Sequence, residues 1–413
     1  MTAVFSLPPL VDVAHPGVPV TASLRTSLAY DVVAPASNSL DALTLLSPSQ
    51  YWATFALIAV VFAVVWTRGC FRSPAGSVAT SATRAVLRLA GGTVAVLGIM
   101  LVVRRPMASV SIPDPDLVTV DFHSHTEASH DGRAGFDAER NREWHASAGF
   151  EVAYVTDHRT FDGALDGAVR NPALSGEGTV LLPGVELRDR DEHPILIGVD
   201  PRRMKITSPD WKAAAVAADG GPAPPMLLLS MPGDILRIPF DETAGPVRIA
   251  GIEVSDGSPR GMAQSARDRE AILALAGKLH IALVSASDNH GWGRTAPSWS
   301  LLRIPGWRDL TPSELDVAIR RTIVTEGPRA IQVIARRTPA PPANKLEVAA
   351  GGIIVGALML RTMSAPDRFS WIAWNWGLCF LSLRNSRRNR RRLRSRARKA
   401  RASKLRPAIE AAA

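Results

Sequence analysis

The sequence has only two cysteines among its 413 residues, Cys70 and Cys379, and both lie in or beside apolar segments. This scarcity excludes a disulfide framework and a cysteine-based zinc site. The first five residues also lack the basic segment that begins a secretory signal peptide. No internal repeat is evident along the chain. Any metal site must therefore be built from histidine and carboxylate side chains.

The excess of positive charge is confined to one end of the chain. The net charge is +10, but residues 384–413 carry 13 Lys/Arg and one acidic residue and contribute +12, so the other residues sum to −2. The main body is therefore not a basic nucleic-acid binder. Contact with anionic membrane lipid is the favoured interpretation of this basic tail. Non-specific binding of RNA or DNA and simple disorder remain alternatives.

Four apolar runs predict two pairs of transmembrane helices, within residues 51–105 and 346–383. Residues 1–50 before them are predicted to have little order. Each run has roughly 15 residues, slightly short of a usual span, and flanking arginines can extend it. Buried core helices are the alternative. The runs are Tyr51–Trp66, Leu89–Val103, Val348–Leu360 and Phe369–Leu383.

The sequence also predicts the side of the membrane on which the central domain lies. If all four runs span, the positive-inside rule favours a multi-pass membrane protein whose central domain is cytoplasmic, because most basic residues then lie inside. If only Phe369–Leu383 spans after the domain, the domain lies outside. The weakness of Val348–Leu360, which Glu347 directly precedes, keeps that alternative open.

Residues 111–340 differ from the flanking segments because they have ordinary charge density and many Gly/Pro turns. Short β-rich runs are followed or separated by helical stretches. The helical stretches include Phe136–Ala148, Ala263–Leu279 and Pro312–Glu326. This alternation predicts an α/β domain with a parallel sheet or barrel. The seven predicted strands are Leu117–Phe122, Val152–Thr156, Val180–Leu187, Ile195–Val199, Met226–Ser230, Val247–Val254 and Ile281–Ala286.

The end of the first predicted strand carries the clearest chemical signal. It reads Asp121-Phe-His-Ser-His-Thr-Glu-Ala-Ser-His-Asp-Gly132. Alternation along a strand places His123 and His125 on the same face. Two imidazoles with carboxylates nearby are suitable ligands for zinc, manganese or iron.

Histidines and carboxylates recur beside four of the later strands. In α/β barrels, such positions at the C-terminal ends of strands carry the chemistry. The residues are His130-Asp131 after the first strand, Thr156-Asp157-His158, Gly184-Val-Glu186, His193 before Pro194-Ile-Leu-Ile-Gly198, and Ser287-Asp288-Asn289-His290.

Five motifs in this order resemble the PHP (polymerase and histidinol phosphatase) family over roughly residues 117–305. The resemblance implies a distorted (β/α)7 barrel, two or three divalent ions (Zn, Mn or Fe) and phosphoester hydrolysis by a metal-activated water. It also implies that Glu186 bridges metals. By position in the motifs, the implied metal ligands are His123, His125, Asp131, His158, Glu186, His193, Asp288 and His290.

One position departs from the family pattern. Family members usually carry a histidine in a His-Pro pair after the fifth strand, whereas this chain has Met231 before Pro232. A thioether is a poor ligand for zinc or manganese, so one metal position is expected to be weakened, lost or filled by another group.

The sequence thus predicts a membrane-anchored phosphoesterase. Asp288 and His290 are predicted catalytic residues, and Arg159 and Arg294 are predicted to bind the phosphate. The expected substrate is a phosphorylated small molecule or a nucleotide. A non-catalytic PHP-like binding protein and a nuclease recruited by the basic tail are the alternatives.

Overall fold

The computed structural model describes residues 6–70, 105–188, 193–204, 223–236, 247–340 and 344–410, with single positions 91, 92, 95, 98 and 206. Their main feature is a ten-stranded sheet in the order β1-β12-β11-β4-β5-β6-β7-β8-β9-β10, beside a two-stranded sheet of β2 and β3. The strands are β1 (Leu10–Asp12), β2 (Ser23–Arg25), β3 (Ser109–Ser111), β4 (Leu117–Ser124), β5 (Val152–Val155), β6 (Val180–Glu186), β7 (Ile195–Ile197), β8 (Met226–Leu229), β9 (Arg248–Ser255), β10 (Ala282–Ser285), β11 (Ser298–Arg303) and β12 (Ile331–Arg336).

All seven predicted strands are present as the consecutive neighbours β4 to β10. The pairs β4–β5, β5–β6, β8–β9 and β9–β10 are parallel, and β7 runs antiparallel to both of its neighbours. Nearly every residue of these strands is buried, as expected for strands covered on both faces. The predicted α/β class is therefore confirmed.

The sheet curls so that its last strand meets β4 again. The Asp288 amide donates to the His123 carbonyl at 2.9 Å, and the His125 amide donates to the Asn289 carbonyl at 3.2 Å. These bonds bring the loop after β10 against the end of β4. The curled sheet is thus a half-barrel, and the segments that follow its strands lie together at one edge of it.

Three strands of the ten-stranded sheet were not predicted, namely β11, β12 and β1, and neither was the small sheet of β2 and β3. The three strands extend the sheet beyond β4 as an antiparallel flank, in which β11 pairs with both β4 and β12. Their side chains pack with helix residues into a second apolar cluster that includes Trp299, Ile334 and Trp144.

Local signals explain the helices that cover the sheet. Helix α4 (Ala138–Ala148) begins at the Asp137 cap and ends at Gly149, whose φ of 88° favours glycine. The remaining helices of this layer are α5 (Asp162–Val169), α6 (Pro259–Leu279) and α7 (Pro312–Glu326). Helix α6 begins four residues before its predicted start, because Ser258 caps it and Pro259 follows.

The prediction of little order in residues 1–50 is wrong for residues 6–50. They form β1, β2 and the helices α1 (Leu28–Val32) and α2 (Ala34–Thr44). Asp41 of α2 is buried and contacts Arg105 at 2.5 Å and Arg336 at 2.9 Å. Such order depends on tertiary partners distant in sequence, so local periodicity gave no sign of it.

The apolar runs lie in helices α3 (Pro48–Cys70), α8 (Lys345–Thr362) and α9 (Ala365–Glu410). The run Leu89–Val103 lies outside the described residues, apart from four single positions. Among the described helices, none is by itself long and apolar enough to cross a membrane, whereas α8 and the first part of α9 pass that test together, with a 117° bend between them.

Helices α3 and α8 pack closely through small residues. A Cβ added at Gly351 would lie 2.8 Å from Ala53 Cβ, and one at Gly352 would lie 2.7 Å from the Leu57 side chain. Gly356 has no neighbour this close among the described residues. The contact therefore uses the adjacent pair Gly351-Gly352 rather than the four-residue spacing from Gly352 to Gly356. Helix α9 continues through the basic tail as far as Glu410.

Candidate metal centre

The ends of β4 and β6 and the loop after β10 bring four donor atoms together. The Nε2 atom of His123 lies 2.9 Å from that of His125 and 3.1 Å from Glu186 Oε2. Asp288 Oδ1 lies 3.3 Å from His125 Nε2 and 3.6 Å from His123 Nε2. Donors about 2.0–2.2 Å from a tetrahedral cation lie roughly 3.3–3.6 Å from one another. The spacing of these four atoms is thus close to that of one coordination shell.

Glu186 connects this group to a second one. Its Oε2 atom also lies 3.3 Å from His158 Nδ1, and its Oε1 atom lies 2.8 Å from His193 Nδ1. Burial lowers the pKa of His158 to about 4, so its ring is neutral at physiological pH and has a free lone pair. A carboxylate with a histidine group beside each oxygen can bridge two cations.

Asp131 and His290 form a third group with His158. Asp131 Oδ1 lies 3.2 Å from His290 Nε2, and Asp131 Oδ2 lies 3.4 Å from His158 Nε2. The Ser129 hydroxyl donates to Asp131 Oδ1 at 3.0 Å and orients this half-exposed carboxylate. His130 is 72 % exposed and lies at the edge of the group. All eight sequence-predicted ligands therefore lie in one continuous cluster.

Buried hydrogen bonds fix the backbone beneath the cluster. The Ser287 amide donates to Asp121 Oδ1 at 3.0 Å, and Asp121 Oδ2 lies 2.8 Å from His145 Nε2. His145 therefore orients Asp121. Asp288 itself has a φ of 45°, a conformation that this network and the bond to β4 maintain.

The electrostatics of the first group favour a cation. Burial alone would lower the pKa of both strand histidines, but the carboxylates around them reverse this effect. The nearest carboxylates, led by Glu253, hold the pKa of His123 well above its usual 6.5. Hydrogen bonds with Asp288 and Glu186 raise the pKa of His125 to about 9. The carboxylates that raise these pKa values also attract a divalent cation.

The donor set suits zinc, manganese or iron, because it combines imidazole nitrogen with carboxylate oxygen. The buried Nδ1 atom of His125 has no hydrogen-bond partner within the described part of the chain. Together with the donor spacing, this orphaned nitrogen makes the cluster a fit for divalent metal ions.

Sequence reasoning missed two acidic residues at the end of β9. Glu253 is buried, with Oε1 2.9 Å from His123 Nδ1, and its Oε2 accepts the Met231 amide at 2.6 Å. Asp256 is also buried, and its Oδ2 atom has no hydrogen-bond partner among the described residues. A glutamate in the otherwise apolar run Ile249–Val254 was the signal that pointed to this pair.

Met231 lies beside the cluster, as the motif comparison predicted. Its side chain is 1 % exposed and lines the same cavity as His123, Glu186 and His193. The Ser265 hydroxyl lies 3.7 Å from its sulfur. The position that carries an imidazole in the PHP pattern is thus filled here by a buried thioether.

The two predicted phosphate-binding arginines lie in different places. Arg294 lines the cavity of about 790 Å³ above the cluster, together with Arg260, which the sequence reasoning did not single out. Arg159 is exposed and lines a smaller cavity of about 250 Å³ bordered by His158 and His193. The structure therefore brings Arg294, but not Arg159, to the main cavity.

Comparison with known proteins finds no matching family model and no matching curated protein. Solved structures with a similar fold include PsfC of Pseudomonas syringae PB-5123, at 17 % identity and a TM-score of 0.38, covering 60 % of this chain and 100 % of that one. Another is a two-domain protein of Bacteroides vulgatus ATCC 8482 described as containing a predicted PHP-like metal-dependent phosphoesterase. It has 17 % identity and a TM-score of 0.33, and the match covers 53 % of this chain and 67 % of that one. A lesion-specific endonuclease of Pyrococcus furiosus has 16 % identity and a TM-score of 0.37, covering 52 % and 57 %. At such low scores these similarities carry no weight for function, which rests on the site itself.

Proposed function

We propose that this chain is a metal-dependent phosphoesterase of the PHP family. The observation that carries the proposal is Glu186, whose oxygens lie within 3.3 Å of four histidines from three different segments. A structural salt bridge needs one partner, whereas a carboxylate that faces four imidazoles is arranged for cations. The five PHP-like motifs supply the same residues in the same order.

Bound divalent ions would supply an acidified water and offset the charge of the phosphoryl oxygens. The chain's own residues have separate tasks. Glu253 holds His123 by its Nδ1 atom, so that Nε2 faces the centre. His290 lies beside Asp131 at the open side of the cluster, where its Nε2 atom and the Asp131 carboxylate would hold a divalent ion. Arg294 lines the cavity and is placed to bind a phosphate oxygen.

Metal analysis and hydrolysis together test this proposal. The purified full chain, supplied with Mn²⁺, Zn²⁺ or Fe²⁺, should retain metal after desalting and hydrolyse p-nitrophenyl phosphate. Changing His123 and His125 together to alanine should remove both properties. A chain that binds no metal and hydrolyses nothing with any of the three ions contradicts the proposal. Bound metal without hydrolysis would instead favour the non-catalytic binding protein, for which Met231 is the supporting observation.

The proposal includes attachment to a membrane with the catalytic domain in the cytoplasm. Its support is the first part of α9, where Phe369 and Trp376 are each 73 % exposed and Phe380 is 65 % exposed, directly before the arginine-rich segment. Aromatic residues beside basic ones are typical of membrane interfaces. Protease protection of tags placed in the domain and at the C-terminus tests the topology. Tags on opposite sides of the membrane would contradict it.

A further inference from the structure

The lining of the main cavity combines two kinds of residue. Part of it is the polar cluster of histidines and carboxylates. Apolar surface is added by Tyr51, Pro232, Pro259 and Trp292, of which Trp292 is 49 % exposed. A site for a small, fully hydrophilic phosphoester would gain nothing from these apolar residues, since such a substrate has no apolar surface to bury.

Tyr51 belongs to the apolar helix α3, and a polar network fixes its place at the cavity. The Thr44 hydroxyl, at the end of α2, donates to Thr295 Oγ1 at 2.9 Å. The Thr295 hydroxyl donates in turn to Asp41 Oδ1 at 2.9 Å. Thr295 lies five residues after His290, so the start of α3 is tied to the loop that carries the metal cluster. The apolar helix is therefore part of the site's architecture.

An apolar stripe runs from the cavity along α3. Tyr51, Phe55, Ile58 and Phe62 recur at intervals of four, three and four residues, which places them on one helix face. The rings of Tyr51 and Phe55 stack with centroids 6.1 Å apart, and Ile58 is 43 % exposed. The opposite face of the helix, with Ala53 and Leu57, packs on α8. Tyr51, Phe55 and Phe62 are half-buried, so the stripe is a partly exposed apolar track that begins at the cavity.

Charge argues against a nucleic acid on this track. Residues 48–67 contain no Asp, Glu, Lys or Arg. A groove for a nucleic-acid strand combines aromatic side chains with basic ones that follow the phosphates. An alkyl chain needs only continuous apolar surface.

We infer that the substrate is an amphiphilic phosphomonoester, with its phosphate at the metal cluster and its alkyl chain along the stripe on α3. This inference rests on the proposed phosphoesterase function and adds the substrate class. Each methylene group buried on the stripe should then strengthen binding roughly fourfold.

Chain-length series test the inference with two readouts. The first is calorimetric binding of ethyl- to octylphosphonate to the metal-loaded full chain, since phosphonates have a C–P bond in place of the ester bond and are not hydrolysed. The second is kcat/KM for the matching alkyl phosphates, with thymidine monophosphate for comparison. We expect both quantities to rise with each methylene over several carbons, and octyl phosphate to be preferred over the nucleotide.

Variants distinguish binding of the alkyl chain along the stripe from non-specific binding to other apolar surface. The double change Tyr51→Ser and Phe55→Ser should flatten the dependence on chain length. Val60→Ser is the matched control, because Val60 lies on the same helix, is 59 % exposed and is outside the stripe. It should keep the wild-type slope, and a control that flattens as much as the double variant overturns the inference.

The outcomes distinguish the inference from the function on which it rests. Hydrolysis of ethyl phosphate without any dependence on chain length overturns the amphiphilic substrate and leaves the phosphoesterase intact. Chain-length-dependent phosphonate binding without hydrolysis supports the track and contradicts the proposed activity. Preference for the nucleotide overturns the inference in favour of a nucleotide substrate. Absence of phosphonate binding by the metal-loaded chain overturns the inference as well.

Discussion

Glu253 contacts the ring nitrogen of His123 that is not directed at the metal cluster. Its Oε1 atom lies 2.9 Å from His123 Nδ1, while its Oε2 atom accepts a hydrogen bond from the Met231 amide. Both carboxylate oxygens thus face donors once His123 carries its proton on Nδ1. That tautomer leaves Nε2 free for a metal, and such carboxylate–histidine pairs typically raise metal affinity 10- to 100-fold.

Changing Glu253 to glutamine should therefore weaken metal binding by about 10-fold or more. An amide has one acceptor and one donor, so it cannot accept from both His123 and the Met231 amide. Competition with a chromogenic chelator measures the affinity. Glu270→Gln, an exposed glutamate on α6, is the control and should bind metal as the wild type does. Equal affinities for all three proteins would show that Glu253 does not position His123.

The bridging arrangement of Glu186 predicts a change in metal count. Removing its carboxylate in Glu186→Ala takes a ligand from the His123–His125 group and from the His158–His193 group at once. We expect the variant to retain at least one metal ion fewer per chain than the wild type, measured by mass spectrometry of the desalted protein. His193→Ala removes a ligand from one group only and should have the smaller effect. Loss of the same number of ions from both variants would contradict a bridging role.

Met231 marks a position where an added ligand should strengthen the centre. The side chain is buried at the cavity beside the cluster, and histidine is of similar size. Met231→His should therefore raise metal affinity or occupancy, because it supplies a nitrogen donor where the thioether is a poor one. Met231→Leu, which keeps the bulk and adds no donor, should behave as the wild type does. Unchanged affinity and metal count in the histidine variant would show that position 231 does not face a metal.

The candidate site was largely predictable because the C-terminal ends of neighbouring strands lie together at one edge of the sheet. His123, His158, Glu186 and Asp288 are distant in sequence, yet each follows or ends a strand whose apolar run is legible. Once the runs are placed side by side in one sheet, their polar ends must converge. Glu253 escaped this reasoning because it lies within its strand, one residue before the apolar Val254, and not after the strand's end.

The N-terminal segment could not be predicted in the same way. Its strand β1 has three residues and pairs with β12, which is more than 300 positions away in sequence. Its helix α2 buries Ser37, Asn38 and Asp41 rather than an apolar stripe. Neither feature produces a periodic pattern, because the stabilising contacts are specific polar ones.

Asp41 should make stability depend on pH in the acid range. Burial alone would raise the pKa of Asp41, but Arg336 and Arg105 lower it below the usual 3.8. A carboxylate whose pKa is lower in the folded state binds fewer protons there than in the unfolded chain. Its stabilisation is therefore complete above about pH 5 and is lost as the pH falls through 3.8 and below.

We expect Asp41→Asn to lower the free energy of unfolding by about 3 kcal/mol at neutral pH, because it leaves two buried guanidinium groups without their charged partner. The difference from wild type should shrink as the pH falls below 4, and thermal unfolding from pH 3 to 7 measures it. Asp166→Asn is the control: Asp166 pairs with Arg170 at 3.2 Å, but both side chains are about half exposed. Such a surface pair contributes about 0–1 kcal/mol, so this variant should unfold nearly as the wild type does at every pH. A constant difference between Asp41→Asn and wild type across the whole range would mean that Asp41 is not ionised in the folded chain.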